Sequence, residues 1–324
     1  MLLWSFLYFD DNDYNMRQLN SVISDFPILP LRKKKQYKMI CSPMNYIGGK
    51  HKLLPQIFPL FPNNIDVFVD LFCGGCNVGI NAQANKVIFN DNLKYLIDFY
   101  KLLYSLPKED ILSHIRNRIS EFDLSLTNND GYISLRKLYN EKRNPLDLFV
   151  LVAYSFNHQI RFNTAHEFNN PFGKERSSYN PRMENNLIEF INRLQSRDVL
   201  FSSFNFDNFD FSKVSINDYV YCDPPYLITT GSYNDGKRGF TGWNKTHEIR
   251  LLEILDELNS RGIRFSLSNV LCHKGNHNTI LSEWLDSNDY YVHHLSKDYS
   301  NSSYHLKNRG ETGTDEVLVT NYIC

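Results

Sequence analysis

Short apolar runs alternate with longer amphipathic stretches along most of this chain. Ile65-Asp66-Val67-Phe68-Val69 predicts a strand running into Asp70-Leu71-Phe72-Cys73-Gly74-Gly75. A turn of small residues with a helix should follow, then a second strand at Val87-Ile88-Phe89 that closes on Asn90-Asp91. From 93 to 196 the spacing changes. Segments 93–106, 111–119, 135–141, 146–156 and 185–194 carry apolar residues at helical intervals, and a polar, Asn-rich loop covers 157–180. A long polar loop inside a compact chain is more often functional than accidental. Strands return at Val199-Leu200-Phe201 and Tyr219-Val220-Tyr221. Segment 247–260 predicts an amphipathic helix with Leu251, Leu252, Ile254, Leu255 and Leu258 inward, closed by Arg261-Gly262. Further strands are expected at 263–267 and 317–322. The pattern is that of an α/β sheet with a helical insertion. Residues 44–92 and 197–324 form the sheet domain, 93–196 the insertion, and 1–43 an N-terminal extension with no periodicity and no assigned role.

Composition narrows the class. The 324 residues are 42% hydrophobic and 22% charged, ordinary for a globular protein. Net charge is −1, so any nucleic-acid surface has to be local. Candidates are Arg32-Lys33-Lys34-Lys35, Lys50-His51-Lys52, Arg136-Lys137 with Lys142-Arg143, 174–176, and Lys237-Arg238. Six cysteines in a chain this long make no disulfide framework and point to a reducing compartment. The apolar opening Met1-Leu2-Leu3-Trp4 lacks a basic flank and meets Asp10-Asp11, so it does not read as a signal peptide. No stretch is long enough to span a bilayer. A cytoplasmic monomer without membrane contact is expected.

The chemistry concentrates at Asp223-Pro224-Pro225-Tyr226, directly behind the apolar run 218–222. A strand ending this way sets out a carboxylate and then a backbone carbonyl on a corner stiffened by two proline rings. Two acceptors at fixed spacing suit an NH2 group, and Tyr226 adds a flat face for a planar heterocycle. Upstream, Phe72-Cys73-Gly74-Gly75-Cys76-Asn77-Val78-Gly79 follows a strand as the first turn of a nucleotide-binding sheet does. Its spacing is not G-x-G-x-x-G, and no Walker Lys-Ser/Thr follows. Asp91, roughly 20 residues on, suits ribose hydroxyls. A ligand with adenine and ribose but no phosphate fits best, namely S-adenosylmethionine. Cys73-Gly74-Gly75-Cys76 also spells C-x-x-C, but the thiols straddle the glycines a ligand needs. His273 and His277 have zinc-like spacing but read as loop residues, so no metal is expected.

These residues together resemble the Dam-type, D12 class DNA adenine methyltransferases. Tyr46-Ile47-Gly48-Gly49-Lys50 is similar to that family's N-terminal Tyr-x-Gly-Gly-Lys, Phe72 to Gly75 to its cofactor loop, and Asn90-Asp91 to its ribose acid. Ser155 to Asn163 and Glu167 to Gly173 resemble the loop and hairpin that enter DNA. Asp223 to Tyr226 matches the catalytic tetrapeptide, and Ser266 to Asn269 and Asp315 to Tyr322 the later strands.

The resemblance implies a Rossmann-like S-adenosylmethionine-dependent fold whose insertion recognises double-stranded DNA. It further implies methylation of adenine N6 in a flipped base, as part of a restriction–modification system with a cognate endonuclease encoded alongside. Tyr46, Lys50, Phe72, Gly74, Gly75, Asp91, Phe206 and Asp223 would line the cofactor pocket. Asp223, Pro224, Pro225 and Tyr226 would carry catalysis, and Arg161, Asn163, Asn169, Asn170 and Arg176 would contact DNA. One departure stands out: the family often has Asp-Phe where this chain has Asn205-Phe206. The tetrapeptide alone also admits cytosine N4, RNA adenine or a protein glutamine amide as acceptor. A silent nucleic-acid-binding module and a dithiol oxidoreductase using Cys73 and Cys76 are the alternatives from other classes.

Overall fold

The strand Tyr219–Cys222 is buried at every position, so it has to lie mid-sheet with both faces covered. In the computed structural model, which describes residues 38–229, 242–296 and 313–324, it does. The extension up to residue 37, with its basic run, and Lys237-Arg238 lie outside the described residues.

The strands are β1 (Ile65–Asp70), β2 (Ala84–Asn90), β3 (Asp198–Ser202), β4 (Tyr219–Cys222), β5 (Arg264–His273), β6 (Asn276–His277), β7 (Tyr291–Leu295) and β8 (Thr314–Thr320). They form one sheet in the order β3-β2-β1-β4-β5-β8-β7, with β6 paired to β5. The first five are mutually parallel, and β8 runs antiparallel between β5 and β7. The order reverses between β1 and β4, the switch point where ligands of doubly wound sheets bind beyond the strands' carboxyl ends. Asp70 sits opposite Tyr221, so the chain leaves both strands at the same level. This is the Rossmann-like α/β architecture expected.

Helices cover both faces: α1 (Leu54–Ile57), α2 (Lys94–Ser105), α3 (Lys108–Glu121), α4 (Asn129–Lys142), α5 (Pro145–Tyr154), α6 (Pro181–Gln195), α7 (Lys245–Ser260) and α8 (Thr279–Asp286). Alternation along the strands divides the core. Phe68, Tyr219 and Tyr221 pack with residues of α2, α5 and α6. Val69, Val220 and Cys222 pack with α7 and α8. Asn128, Asn180 and Asn244 cap α4, α6 and α7, each accepting from a backbone N–H of the first turn.

Two expectations need correction. No helix forms between β1 and β2. Gly74 and Cys76 take positive φ, and Asp70 Oδ2 accepts the Gly79 N–H, so residues 71–82 fold as successive turns. The segment 273–277 is a tight hairpin, β5 to β6, with Lys274 and Gly275 both at positive φ, rather than open loop. The helix α8 and strand β7 were not anticipated. The compact unit begins at Met39, ahead of residue 43 where the extension was expected to end. Asn77 Oδ1 accepts from Ser42 N, and Asn81 exchanges two bonds with Ile40, strapping this segment to the glycine turn. Among the described residues no helix is long and apolar enough to cross a membrane.

Candidate active site

The loops leaving β1 and β4 at the switch point open onto one cavity of about 470 Å³. Its lining includes Tyr46, Lys50, Phe72, Gly74, Gly75, Asp91, Phe206, Asp223, Pro224, Pro225 and Tyr226, the full set expected for cofactor and catalysis, together with Arg161. The volume lies in the range of roughly 300–1,000 Å³ usual for small-molecule sites.

The glycine turn is built around Gly74. At φ +44° it takes a conformation side chains rarely adopt, and a Cβ there would meet the Tyr46 ring at 2.7 Å. Its N–H donates to Asp91 Oδ2 (2.9 Å) and its carbonyl accepts from Tyr100 Oη (2.9 Å). Asp91 Oδ1 accepts from Leu93 N, so the acid is held rigidly at the turn. Burial pushes its carboxyl above the usual carboxylate range, and the two N–H bonds oppose this. Cys73 and Cys76 are buried, and burial raises both thiols, Cys73 to well above the ordinary cysteine value. A thiol kept protonated and enclosed is a poor redox nucleophile.

The proline corner is held from below. Asp223 Oδ1 lies 2.7 Å from Lys50 Nζ, which is itself 3.6 Å from Glu316 Oε1 and also donates to Gly48 O. Lys50 sits 4.9 Å from the centroid of the Tyr226 ring. The Tyr226 hydroxyl reaches Asp223 Oδ1 (3.2 Å), Ser268 Oγ (3.1 Å) and Glu316 Oε1 (3.1 Å). Both contacts to Asp223 fall on Oδ1, leaving Oδ2 for a ligand. Burial raises the Asp223 carboxyl, with the Lys50 ammonium pulling the other way. Burial and the neighbouring carboxylates hold the Tyr226 phenol protonated far above neutral pH.

At the other end, Phe72 and Phe206 lie 5.5 Å apart and both contact Trp243, at 5.7 and 5.2 Å. Asn205 Oδ1 accepts the Phe206 N–H at 2.9 Å.

The expected DNA contacts divide. Arg161 lines the cavity, and its buried Nε meets no acceptor among the described residues. Arg176 is exposed and stacks over Phe156, 5.1 Å away. Asn169 is half-buried, and its Oδ1 likewise meets no described donor. Asn170 does not fit the expectation. It is 2% exposed and gives its amide to the carbonyls of Phe156 and Gln159, holding the loop's own backbone. Asn163 is similarly engaged with Glu167, whose N–H and carboxylate it bonds. Arg136 and Arg143, from the basic clusters, donate to Asn170 O and His166 O and so tie α4 to this loop.

Sequence reasoning overlooked Asp70, Trp243 and Glu316. Asp70 lines the cavity at the end of β1, with its carboxyl pushed up to about 8 by burial. Glu316 carried a usable signal, an acid within the apolar run of β8. Trp243 carried none, since its ring partners Phe72, Phe206 and His247 come from the segments after β1 and β3 and from α7.

A family model for the D12 class N6 adenine-specific DNA methyltransferases matches residues 46–301. Over 303 residues the chain is 52% identical to the type II methyltransferase M.FokI of Planomicrobium okeanokoites, covering 94% of this chain and 46% of that protein. It is 50% identical over 296 residues to the modification methylase StsI of Streptococcus sanguinis, covering 91% and 45%. A DNA adenine methylase of Haemophilus influenzae is 30% identical over 223 residues, covering 66% of this chain and 73% of that one. The chain thus spans less than half the length of the first two relatives. The residue pattern, the sheet and the matched length agree: this chain belongs to the D12 class N6 adenine-specific DNA methyltransferases.

Proposed function

We propose that the chain transfers a methyl group from S-adenosylmethionine to the N6 amine of an adenine flipped out of double-stranded DNA, as the modification half of a restriction–modification pair. The observation that carries this is the shared cavity of the proline corner and the glycine turn. The cavity's chemistry fits the donor. A buried carboxylate, Asp91, suits ribose hydroxyls, Phe72 and Phe206 suit an adenine ring, and the buried acid Asp70 suits a cationic group. S-adenosylmethionine, when bound, supplies a methyl activated by its sulfonium.

The chain's own residues would do the rest by placement. Extruding adenine costs a few kcal/mol, and stacking on Tyr226 would return about 1–3 kcal/mol. Asp223 Oδ2 and the Pro224 carbonyl would accept the two amine hydrogens and draw the nitrogen lone pair out of the ring. With that donor held over the glycine turn, the N6–methyl bond would form as the sulfur–methyl bond broke, without a covalent enzyme intermediate. The surplus amine proton has the Asp223 carboxylate beside it, and burial makes that group a better base than a solvated aspartate. Arg161 and Arg176 are the residues we assign to the DNA, with Asn169 beside them.

The test is transfer of tritiated methyl groups to DNA followed by nucleoside analysis. Label in N6-methyl-2′-deoxyadenosine supports the reading. Label in N4-methylcytosine, in RNA or in protein, or cofactor binding with no transfer to any acceptor, replaces it with one of the alternatives.

A further inference from the structure

The aromatic end of the cavity contains a feature that the proposed reaction does not use. Trp243 immediately precedes the cap of α7, lines the cavity, and sets its ring against Phe206 and Phe72. Its indole N–H donates to Glu248 Oε2 at 2.6 Å. Glu248 is 1% exposed, and its other oxygen accepts from Asn269 Nδ2 (2.9 Å) and Asn278 Nδ2 (3.0 Å). Asn269 belongs to β5, and Asn278 caps α8.

A carboxylate this deep requires partners, and here all three are N–H donors. The indole nitrogen can only donate, so the bond fixes which edge of the ring faces inward. The rest of the ring is shared among Phe206, Phe72, His247 and the cavity. Phe72 follows β1 and Phe206 follows β3, on the same side of the switch point as Asp91. The polar corner of Lys50, Asp223 and Tyr226 is built on different residues.

We propose that Trp243 forms the wall against which the adenosine part of the methyl donor rests, and that Glu248 is the positioning residue that holds that wall. This rests on reading the cavity as an S-adenosylmethionine site. Glu248 does not touch the ligand. Its effect passes through the indole, which is why a carboxylate is buried between α7, β5 and α8 instead of an apolar side chain.

Tryptophan emission of the purified chain, titrated with S-adenosylhomocysteine, tests this directly. A ligand stacked beside Trp243 changes the emission, and W243F removes that change while Trp284, bonded to Asp256 away from the cavity, still reports folding. Replacing the ring by alanine should raise KM for S-adenosylmethionine roughly tenfold, with KM for DNA unmoved. In E248Q the amide turns an NH2 towards one of three donors, so KM for the cofactor rises in the same sense and the Trp243 emission shifts. Unchanged cofactor KM in W243A and E248Q, with the ligand-induced change intact in W243F, overturns the proposal. Should W243A not fold, W243F and E248Q decide alone. A wild-type chain that shows the emission change yet methylates nothing would leave this inference standing and remove the proposed activity.

Discussion

Lys50 Nζ lies 2.7 Å from Asp223 Oδ1, joining the first packed segment of the chain to the proline corner that follows β4. Lys50 is almost fully buried and Asp223 mostly so. Removing Asp223 leaves the buried Lys50 ammonium with Glu316, 3.6 Å away, as a remaining carboxylate partner. Asp223→Ala should lower turnover by about 10²–10³-fold or more, because an acceptor aimed at the reacting amine is lost. Glu316 remains to hold Lys50, so circular dichroism should report an intact fold. Near wild-type turnover in a folded Asp223→Ala protein would falsify the mechanism.

Asp70 gives a pH dependence whose sign can be worked out. Its carboxyl is pushed up to about 8 by burial, the Gly79 N–H opposing and Asp223 and Asp91 adding to the rise, against an ordinary value of 3.8. Between these values the folded chain holds a proton that the unfolded chain has released. The contribution is therefore complete below about pH 4 and is lost as pH rises to about 8, a span on the order of 5 kcal/mol. Urea unfolding across that range should show stability falling with pH. Asp70→Asn should flatten this slope, and an unchanged slope rules Asp70 out as its source.

Gly74→Ala combines two penalties: a positive φ and a Cβ placed 2.7 Å from the Tyr46 ring. A loss of about 2–3 kcal/mol is expected, together with weaker binding of S-adenosylhomocysteine, because the turn also positions Asp91. Thermal melts and calorimetric titration measure the two separately. A variant as stable as the parent would mean that the turn relaxes freely.

Arg161→Ala separates base reading from phosphate contact. Loss of about 1–3 kcal/mol confined to the cognate site indicates a base edge. Uniform weakening with a shallower salt dependence indicates phosphate.

Replacing Cys73 and Cys76 together by alanine should preserve methyl transfer, since both thiols are buried and held protonated. Loss of activity in a folded double variant would reinstate the dithiol reading.

The strands and most helices were legible because their burial is periodic and local. β1, β4 and α7 follow directly from apolar spacing, and the acid and carbonyl of the proline corner follow from the chemistry of proline. What stayed hidden depends on long-range closure. The Asn-rich loop looked uniformly like a DNA surface. Asn170 shows that some of those amides satisfy backbone carbonyls that no neighbouring strand would pair. Polar composition cannot separate these two uses. The expected helix after β1 failed for a related reason: Asp70 and the two positive-φ residues compete successfully for the backbone there. Trp243 and Glu248 are close in the chain, but the other partners of that carboxylate, Asn269 and Asn278, come from β5 and the cap of α8.

Glu316, which steadies both Lys50 and the Tyr226 hydroxyl, sits on β8, 90 residues beyond the tyrosine it supports. During synthesis the proline corner therefore emerges after Lys50, one of its supports, and before Glu316, another. A product clipped ahead of β8 would keep the proline motif while lacking the Glu316 contacts.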